Sequence, residues 1–149
     1  MDKYDVLKLD NQMCFLLYAT SKELVRKYKP ILDKFDLTYT QYITMLVLWE
    51  HKEITIKELG DKLFLDSGTL TPLVKKLEQK GLVSRCRCQD DERNLMVSIT
   101  KKGDNLKKEV VNVPSTIGKC INLTEDEAIC LYKVLNKMLK GWDDNEKQI

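Results

Sequence analysis

The chain has 149 residues, of which 43% are hydrophobic and 32% charged, and its formal net charge is +2. This length and apolar content suit one domain with a single core. The small net charge predicts only modest non-specific affinity for nucleic acid. No stretch approaches the roughly 20 apolar residues of a membrane span, and the first residues lack secretory-signal character. We therefore expect no membrane association and a cytoplasmic location.

A long helix is predicted from about Asp10, with a kink near Pro30 and a continuation to Phe35. If Asp10 or Asn11 caps this helix, Cys14 lies in its first turn. There the helix dipole and free backbone N–H groups favour a thiolate, the form of cysteine that attacks a peroxide oxygen. The alternative is that Cys14 packs as a small hydrophobic residue. The residues alone leave both roles open.

A helix-turn-helix is predicted in the middle of the chain. Thr38 with Gln41, and Thr55 with Glu58, have the spacing of capping boxes at helix starts. A further helix follows residues 66–69 and ends at Gly81, which suits a left-handed C-terminal position. Its outer face would carry the polar residues Ser67, Thr69, Thr71, Lys75 and Lys76. The second helix of such a pair can enter the DNA major groove, so these side chains are candidate base and phosphate contacts.

After this helix the apolar period changes to two, which predicts a β-hairpin with a turn at residues 89–93. Arg85 and Arg87 alternate along its first strand. Arg93 would lie at the tip, where the Asp91 carboxylate could hold its guanidinium extended. Basic hairpin residues can reach phosphates or the adjacent minor groove. Helix, helix and hairpin together predict a winged helix-turn-helix that binds double-stranded DNA.

The five cysteines are an odd number, which argues against a structural disulfide framework. Cys86 and Cys88 would share a face of the wing, and with His51 they form the candidate metal set. The sequence offers no second ligand pair, whereas a tetrahedral zinc site normally needs four ligands. We predict no metal and no cofactor.

Further helices are predicted after the hairpin. Thr100 would begin one of them, with a disturbance at Pro114, and Thr124 would cap the last. Their apolar residues exceed what a lone winged helix requires. The predicted fold class is mainly α with a small β-wing. The predicted organisation is a single domain 1–149 with a winged helix-turn-helix region 38–100 and dimerisation helices 1–37 and 101–149.

Residues 65–72, 76–82 and 91–93 resemble the MarR family of bacterial transcription regulators. Residues 9–19 resemble the start of its OhrR-type branch, which senses organic hydroperoxides. The resemblance covers nearly the whole chain and weakens after Val113. It implies a homodimer that represses by binding a pseudo-palindromic operator, with two recognition helices about 34 Å apart.

The resemblance also implies that Cys14 is the peroxide sensor, which shifts the balance towards its reactive role. In the OhrR-type branch tyrosines hydrogen-bond the reactive thiolate, and the corresponding residues here are Tyr18, Tyr28 and Tyr39. For these rings the alternative is ordinary amphipathic packing.

A sulfenic acid formed on Cys14 condenses readily with a second thiol. The resemblance suggests Cys120 as the resolving cysteine, from the other subunit of the dimer. Cys130 is the alternative, although its place on an apolar helix suggests a core position. A small cellular thiol would complete the disulfide if neither reaches Cys14.

Three other functions share some of these features. A MarR-type regulator of a small aromatic ligand would keep the DNA-reading residues and make Cys14 incidental. A broader redox regulator of stress or virulence genes would share the chemistry and differ in its targets. A thiol peroxidase is disfavoured because the sequence shows no additional catalytic constellation. The oxidant, the operator and the sign of regulation are not specified by the sequence.

Overall fold

The computed structural model describes residues 2–87 and 95–146, with side chains up to residue 142. The chain divides into two units, Met1–Ile117 and Gly118–Ile149, which are described separately below. Within the described residues, no helix is both long enough and apolar enough to cross a membrane.

The elements follow one another as helices with a small sheet inserted among them. The helices are α1 (Met13–Leu32), α2 (Tyr39–His51), α3 (Ile56–Leu63), α4 (Ser67–Gln79), α5 (Lys101–Val110), α6 (Val113–Gly118) and α7 (Glu125–Glu146). The strands are β1 (Glu53–Thr55), β2 (Val83–Arg87) and β3 (Leu95–Ile99). This order confirms the predicted mainly α fold with a β-wing after a helix-turn-helix.

The start of α1 differs from the expectation. Residues Leu9–Asn11 form a short 3-10 turn, and the helix begins after Gln12 rather than near Asp10. The Gln12 side chain does not cap the helix, because its Nε2 donates backwards to the carbonyl oxygens of Val6 at 2.6 Å and Lys8 at 3.2 Å. The expected cap from Asp10 or Asn11 is therefore wrong, although Cys14 still lies in the first turn.

The predicted capping boxes and the left-handed glycine after α4 are confirmed. Thr38 accepts a hydrogen bond from the Gln41 backbone N–H at 3.3 Å and Thr55 accepts one from Glu58 at 3.2 Å, and both capping boxes are complete. Gly81 has φ +73°, the left-handed conformation expected after α4. Such caps satisfy backbone donors at helix starts and fix where each helix begins.

The core of the first unit is centred on α2, and α3 and α4 of the helix-turn-helix both pack their apolar side chains into it. The fully buried side chains include Leu32, Met45, Leu48, Leu59, Leu77 and Val97. Each such side chain contributes about 1.5–3 kcal/mol through removal from water. In addition, the Trp49 indole donates to the Gly103 carbonyl oxygen at 2.8 Å, which joins α2 to α5.

The wing belongs to a three-stranded antiparallel sheet of order β1-β3-β2, rather than the two-stranded hairpin expected. Val97 in the central strand pairs with Ile54 on one side and Arg85 on the other. The strand β1 has three residues, too short for the alternation that identifies strands in a sequence. It also anchors the wing beside α3, which follows it directly.

The second unit consists mainly of α7. Its start is a capping box in which Thr124 accepts from the Glu127 N–H at 3.3 Å and the Glu127 carboxylate accepts from the Thr124 N–H at 2.8 Å. Its exposed apolar residues are Ile129, Leu131, Tyr132, Val134, Leu135, Leu139 and Trp142. A long helix with such an apolar row is typical of a protein–protein interface.

Candidate DNA-reading surface and thiol site

Helix α4 has an apolar face directed into the core and a polar face directed outward. The Asp66 Oδ1 caps it by accepting from the Thr69 backbone N–H at 2.8 Å. The buried side chains are Leu70, Leu73, Val74 and Leu77. The exposed side chains include all five predicted contact residues, Ser67, Thr69, Thr71, Lys75 and Lys76. The helix therefore has the two faces that a recognition helix requires.

Two of these hydroxyl groups already donate within the helix. Thr71 Oγ1 donates to the Ser67 carbonyl oxygen at 2.8 Å, and Thr69 Oγ1 donates to Asp66 Oδ2 at 3.3 Å. Thr69 and Thr71 can therefore contact a base edge through the lone pairs of the hydroxyl oxygen and through the methyl group. A threonine methyl suits a thymine methyl, and its oxygen can accept from a base amino group.

The wing is tied to the recognition helix by Glu78 and Arg85. Arg85 Nε donates to Glu78 Oε2 at 2.9 Å, and the Arg85 backbone N–H donates to Glu78 Oε1 at 3.2 Å. The side-chain hydrogen bond from Arg85, with its positive charge, lowers the pKa of Glu78. Arg87 is exposed at the end of β2. The expected wing-tip residues Asp91 and Arg93, and Cys88, lie outside the described residues.

Cys14 is the second residue of α1 and is exposed. No side chain caps this helix start, so the N–H groups of the first turn remain available to interact with a negative charge beside them. Tyr18 follows one turn later and is also exposed, with the Lys22 ammonium 5.7 Å from its ring centroid. Residues at this spacing lie on one face of a helix.

Tyr28 and Tyr39 lie together where α1 and α2 meet. Their ring centroids are 4.8 Å apart, and Tyr42 is 5.9 Å from Tyr28. Burial raises the pKa of each of these three phenols, and the neighbouring phenols raise those of Tyr28 and Tyr42 further. The phenols therefore stay protonated at neutral pH and can donate hydrogen bonds. Tyr42 was not expected here, although its spacing of three residues from Tyr39 places both on one helix face.

Cys14 and Tyr28 do not meet within one chain. They are fourteen residues apart in the continuous helix α1, which separates them by about 21 Å along the axis. A hydrogen bond between a Cys14 thiolate and the Tyr28 hydroxyl would therefore have to join two copies of the chain.

The other described cysteines are all on the surface of the chain. Cys86 is exposed on β2 opposite Met96. In the second unit, Cys120 precedes α7 and Cys130 lies within it, and both are exposed. The expected core position of Cys130 is thus wrong for the single chain. Within residues 2–87 and 95–146, no group of three or more His, Cys, Asp or Glu side chains is placed to hold a metal ion.

Comparison with known proteins agrees with this architecture. The sequence profile of the SarA/Rot transcriptional regulators matches residues 26–110. The chain is 52% identical over 116 residues to an organic hydroperoxide resistance transcriptional regulator of Bacillus subtilis, covering 78% of this chain and 79% of that one. It is 47% identical to the HTH-type transcriptional regulator SarZ of Staphylococcus saprophyticus, covering 88% and 90%.

The fold also matches a solved protein–DNA complex. Reduced AbfR bound to DNA superposes with a TM-score of 0.77 at 35% identity, covering 95% of this chain and 99% of that one, and AbfR is a protein of Staphylococcus epidermidis. These relatives are transcriptional regulators, and the peroxidase alternative is set aside on that ground. The chain belongs to the SarA/Rot family of MarR-type winged-helix transcriptional regulators.

Proposed function

We propose that this protein is a redox-sensing repressor that binds a pseudo-palindromic DNA operator as a homodimer and leaves it when organic hydroperoxide oxidises Cys14. The observation that carries the proposal is the exposed Cys14 thiol in the uncapped first turn of α1. The similarity to a regulator of organic hydroperoxide resistance supports the choice of oxidant. The proposed activity belongs in the cytoplasm, together with the DNA.

The proposed organisation follows from the two kinds of surface. The winged helix-turn-helix region 38–100 reads DNA through the polar face of α4 and through the wing residues Arg87, Asp91 and Arg93, while Arg85 is held by Glu78 and positions the wing. The flanking regions 1–37 and 101–149 form the dimer, and the exposed apolar row of α7 supports this role. A two-fold axis then presents two α4 helices to half-sites one DNA turn apart.

The proposed chemistry begins at the sulfur of Cys14. The thiolate attacks one oxygen of the hydroperoxide, a sulfur–oxygen bond forms, and the oxygen–oxygen bond breaks. The alkoxide that leaves takes up a proton and departs as an alcohol, while Cys14 becomes a sulfenic acid. A second thiol then attacks this sulfur and releases water, which leaves a disulfide. The peroxide is the only oxidant that the sequence of steps requires.

In the reduced dimer, Tyr28 and Tyr39 of one subunit donate hydrogen bonds to the Cys14 thiolate of the other, and Tyr18 lies beside the same thiol. The separation of about 21 Å along α1 supports this arrangement across the dimer. The protonated state of these half-buried phenols supports their role as donors. Oxidation removes the negative charge and weakens these hydrogen bonds.

The second thiol of the proposed disulfide is Cys120 of the other subunit, with Cys130 as the alternative. Both are exposed, as a resolving thiol must be. A small cellular thiol takes this role if neither reaches Cys14. In each case the new bond moves the helices around Cys14, and the two copies of α4 no longer match their half-sites.

The test is operator binding by the purified reduced protein, with and without one equivalent of an organic hydroperoxide. We expect peroxide to release the wild type and the Cys86→Ser control, whereas Cys14→Ser should bind with unchanged affinity and stay bound. Cys86 is a suitable control because it is an exposed thiol on the DNA-reading wing. Release of Cys14→Ser by peroxide would show that another thiol senses the oxidant.

A further inference from the structure

Lys80 links the end of the recognition helix to the connection between α1 and α2. It is the C-cap residue of α4. Its ammonium donates to the backbone carbonyl oxygen of Asp36 and, at 3.1 Å, to Oε1 of Gln41, and it lies 3.3 Å from the Asp36 carboxylate. The Lys80 side chain is 27% exposed, and its ammonium contacts two residues about forty positions earlier in the chain.

Gln41 is engaged on both sides of this link. Its side-chain oxygen accepts from Lys80 and also from the Thr38 backbone N–H at 3.1 Å, the hydrogen bond that completes the capping box of α2. Gln41 is only 3% exposed, so water does not readily replace either donor. A displacement of the first turn of α2 would therefore move the oxygen that the Lys80 ammonium binds.

The two proposed sensing tyrosines flank this same connection. Tyr28 is in the last turns of α1, and Tyr39 is the first residue of α2, two positions before Gln41. Asp36 lies between them with φ +53°, in the left-handed region, where aspartate is one of the better tolerated residues. The backbone between the tyrosines is thus fixed at one point by a residue of α4.

We infer that Lys80 is the positioning residue that transmits the redox state of Cys14 from the tyrosine pair to the recognition helix. This inference rests on the proposed function. When the disulfide forms at Cys14 and replaces the hydrogen bonds to the thiolate, Tyr39 and the first turn of α2 shift, and Lys80 draws the C-terminal end of α4 with them. Apolar side chains of α2 and α4 share one core, and Lys80 adds a directional polar contact between the end of α4 and the first turn of α2.

Lys102 provides a matched control. Its ammonium also lies at the end of α4, where it donates to the Lys80 carbonyl oxygen at 2.8 Å. This hydrogen bond is to the backbone of Lys80 and not to the α1–α2 connection. Replacing either lysine by methionine removes one positive charge and keeps an unbranched apolar stem. The two variants therefore differ in the link to Gln41.

The experiment measures the dissociation constant of each variant for the operator in the reduced state and after one equivalent of organic hydroperoxide. The quantity compared is the ratio of the oxidised to the reduced dissociation constant. We expect this ratio to fall about 3- to 30-fold in Lys80→Met, with the reduced protein still bound, and to stay at the wild-type value in Lys102→Met. A merely structural role would weaken both states equally and leave the ratio unchanged.

An unchanged ratio in Lys80→Met would overturn the inference. If that variant does not fold, Lys80→Gln decides, because it also removes the ammonium that contacts Asp36 and Gln41 and places a polar side chain at this partly exposed position. We expect a smaller ratio there, and an unchanged one overturns the inference. A wild type that peroxide does not release would instead count against the proposed function, which separates the two failures.

Discussion

Glu78 of α4 and Arg85 of β2 are joined by both side-chain and backbone hydrogen bonds. Glu78 Oε2 lies 2.9 Å from Arg85 Nε and 2.8 Å from Arg85 Nη2, and Oε1 accepts from the Arg85 backbone N–H at 3.2 Å. A carboxylate that accepts hydrogen bonds from both a guanidinium and its backbone N–H restricts the relative orientation of the two residues more than a simple ion pair does. The recognition helix and the wing are therefore aligned with each other before DNA is bound.

Glu78→Gln should weaken this alignment. The pKa of Glu78 is lowered by Arg85, so the pair stabilises the fold above pH 4.5, the ordinary pKa of a glutamate, and this contribution is lost as pH falls through the lowered value. Thermal unfolding from pH 7 to pH 3 should show a smaller acid-induced fall in Tm for Glu78→Gln than for wild type. Operator affinity of the reduced variant should also decrease.

The control for Glu78→Gln is Glu23→Gln, which breaks an exposed ion pair with Arg26 on α1. Exposed pairs of this kind contribute little, so its operator affinity should equal that of wild type. Equal affinities for the two variants would mean that the wing does not depend on Glu78 for its position.

Arg87→Ala should reduce the salt dependence of operator binding. Arg87 is exposed beyond the Glu78–Arg85 pair, and a phosphate contact releases counterions on binding. The slope of log affinity against log salt concentration should fall by about one unit in magnitude. The same measurement applies to Arg93→Ala. An unchanged slope for Arg87→Ala, as expected for the control Lys29→Ala on α1, would remove Arg87 from the phosphate contacts.

The sequence predicted best those features that depend on neighbouring residues. Thr38 and Thr55 bind backbone groups three residues away, so their capping boxes are visible in the local pattern. The cap of α1 could not be read in this way, because Gln12 turns back to earlier carbonyl groups instead of capping the helix. The strand β1 exists only through pairing with a strand more than forty residues later.

In the candidate site, too, local features could be predicted from the sequence and long-range contacts could not. The outward face of α4 follows from helical periodicity, whereas the contact of Lys80 with Gln41 spans 39 residues and has no sequence signal. Arg85 was predicted to contact DNA from its charge alone. Its hydrogen bond to Glu78 depends on how β2 packs against α4 and could not be predicted from the sequence. Long-range contacts of this kind are properties of the folded chain.

The proposed arrangement of the tyrosines across the dimer can be tested with mixed dimers. One subunit would carry Cys14→Ser and the other Tyr28→Phe with Tyr39→Phe, so that one intact thiol remains per dimer. If the donors come from the partner, this thiol faces intact tyrosines and should be oxidised at the wild-type rate. The Tyr28→Phe, Tyr39→Phe homodimer should be slower by about tenfold or more, since a hydrogen bond to a charged group contributes about 1.5–3 kcal/mol. Slow oxidation in the mixed dimer would place thiol and donors in one chain.

Gly103→Ala should destabilise the protein through a steric conflict next to the wing. A Cβ at this position would overlap the Leu82 carbonyl oxygen, which is backbone and cannot rotate away. The Gly103 carbonyl also accepts from Trp49 at 2.8 Å, so the helix cannot move aside without losing that bond. We expect a loss of about 3 kcal/mol in the free energy of unfolding, measured by urea denaturation. Gly118→Ala meets no atom within 4 Å and should unfold nearly as the wild type does; equal stability of the two variants would show that α5 can shift away from Leu82.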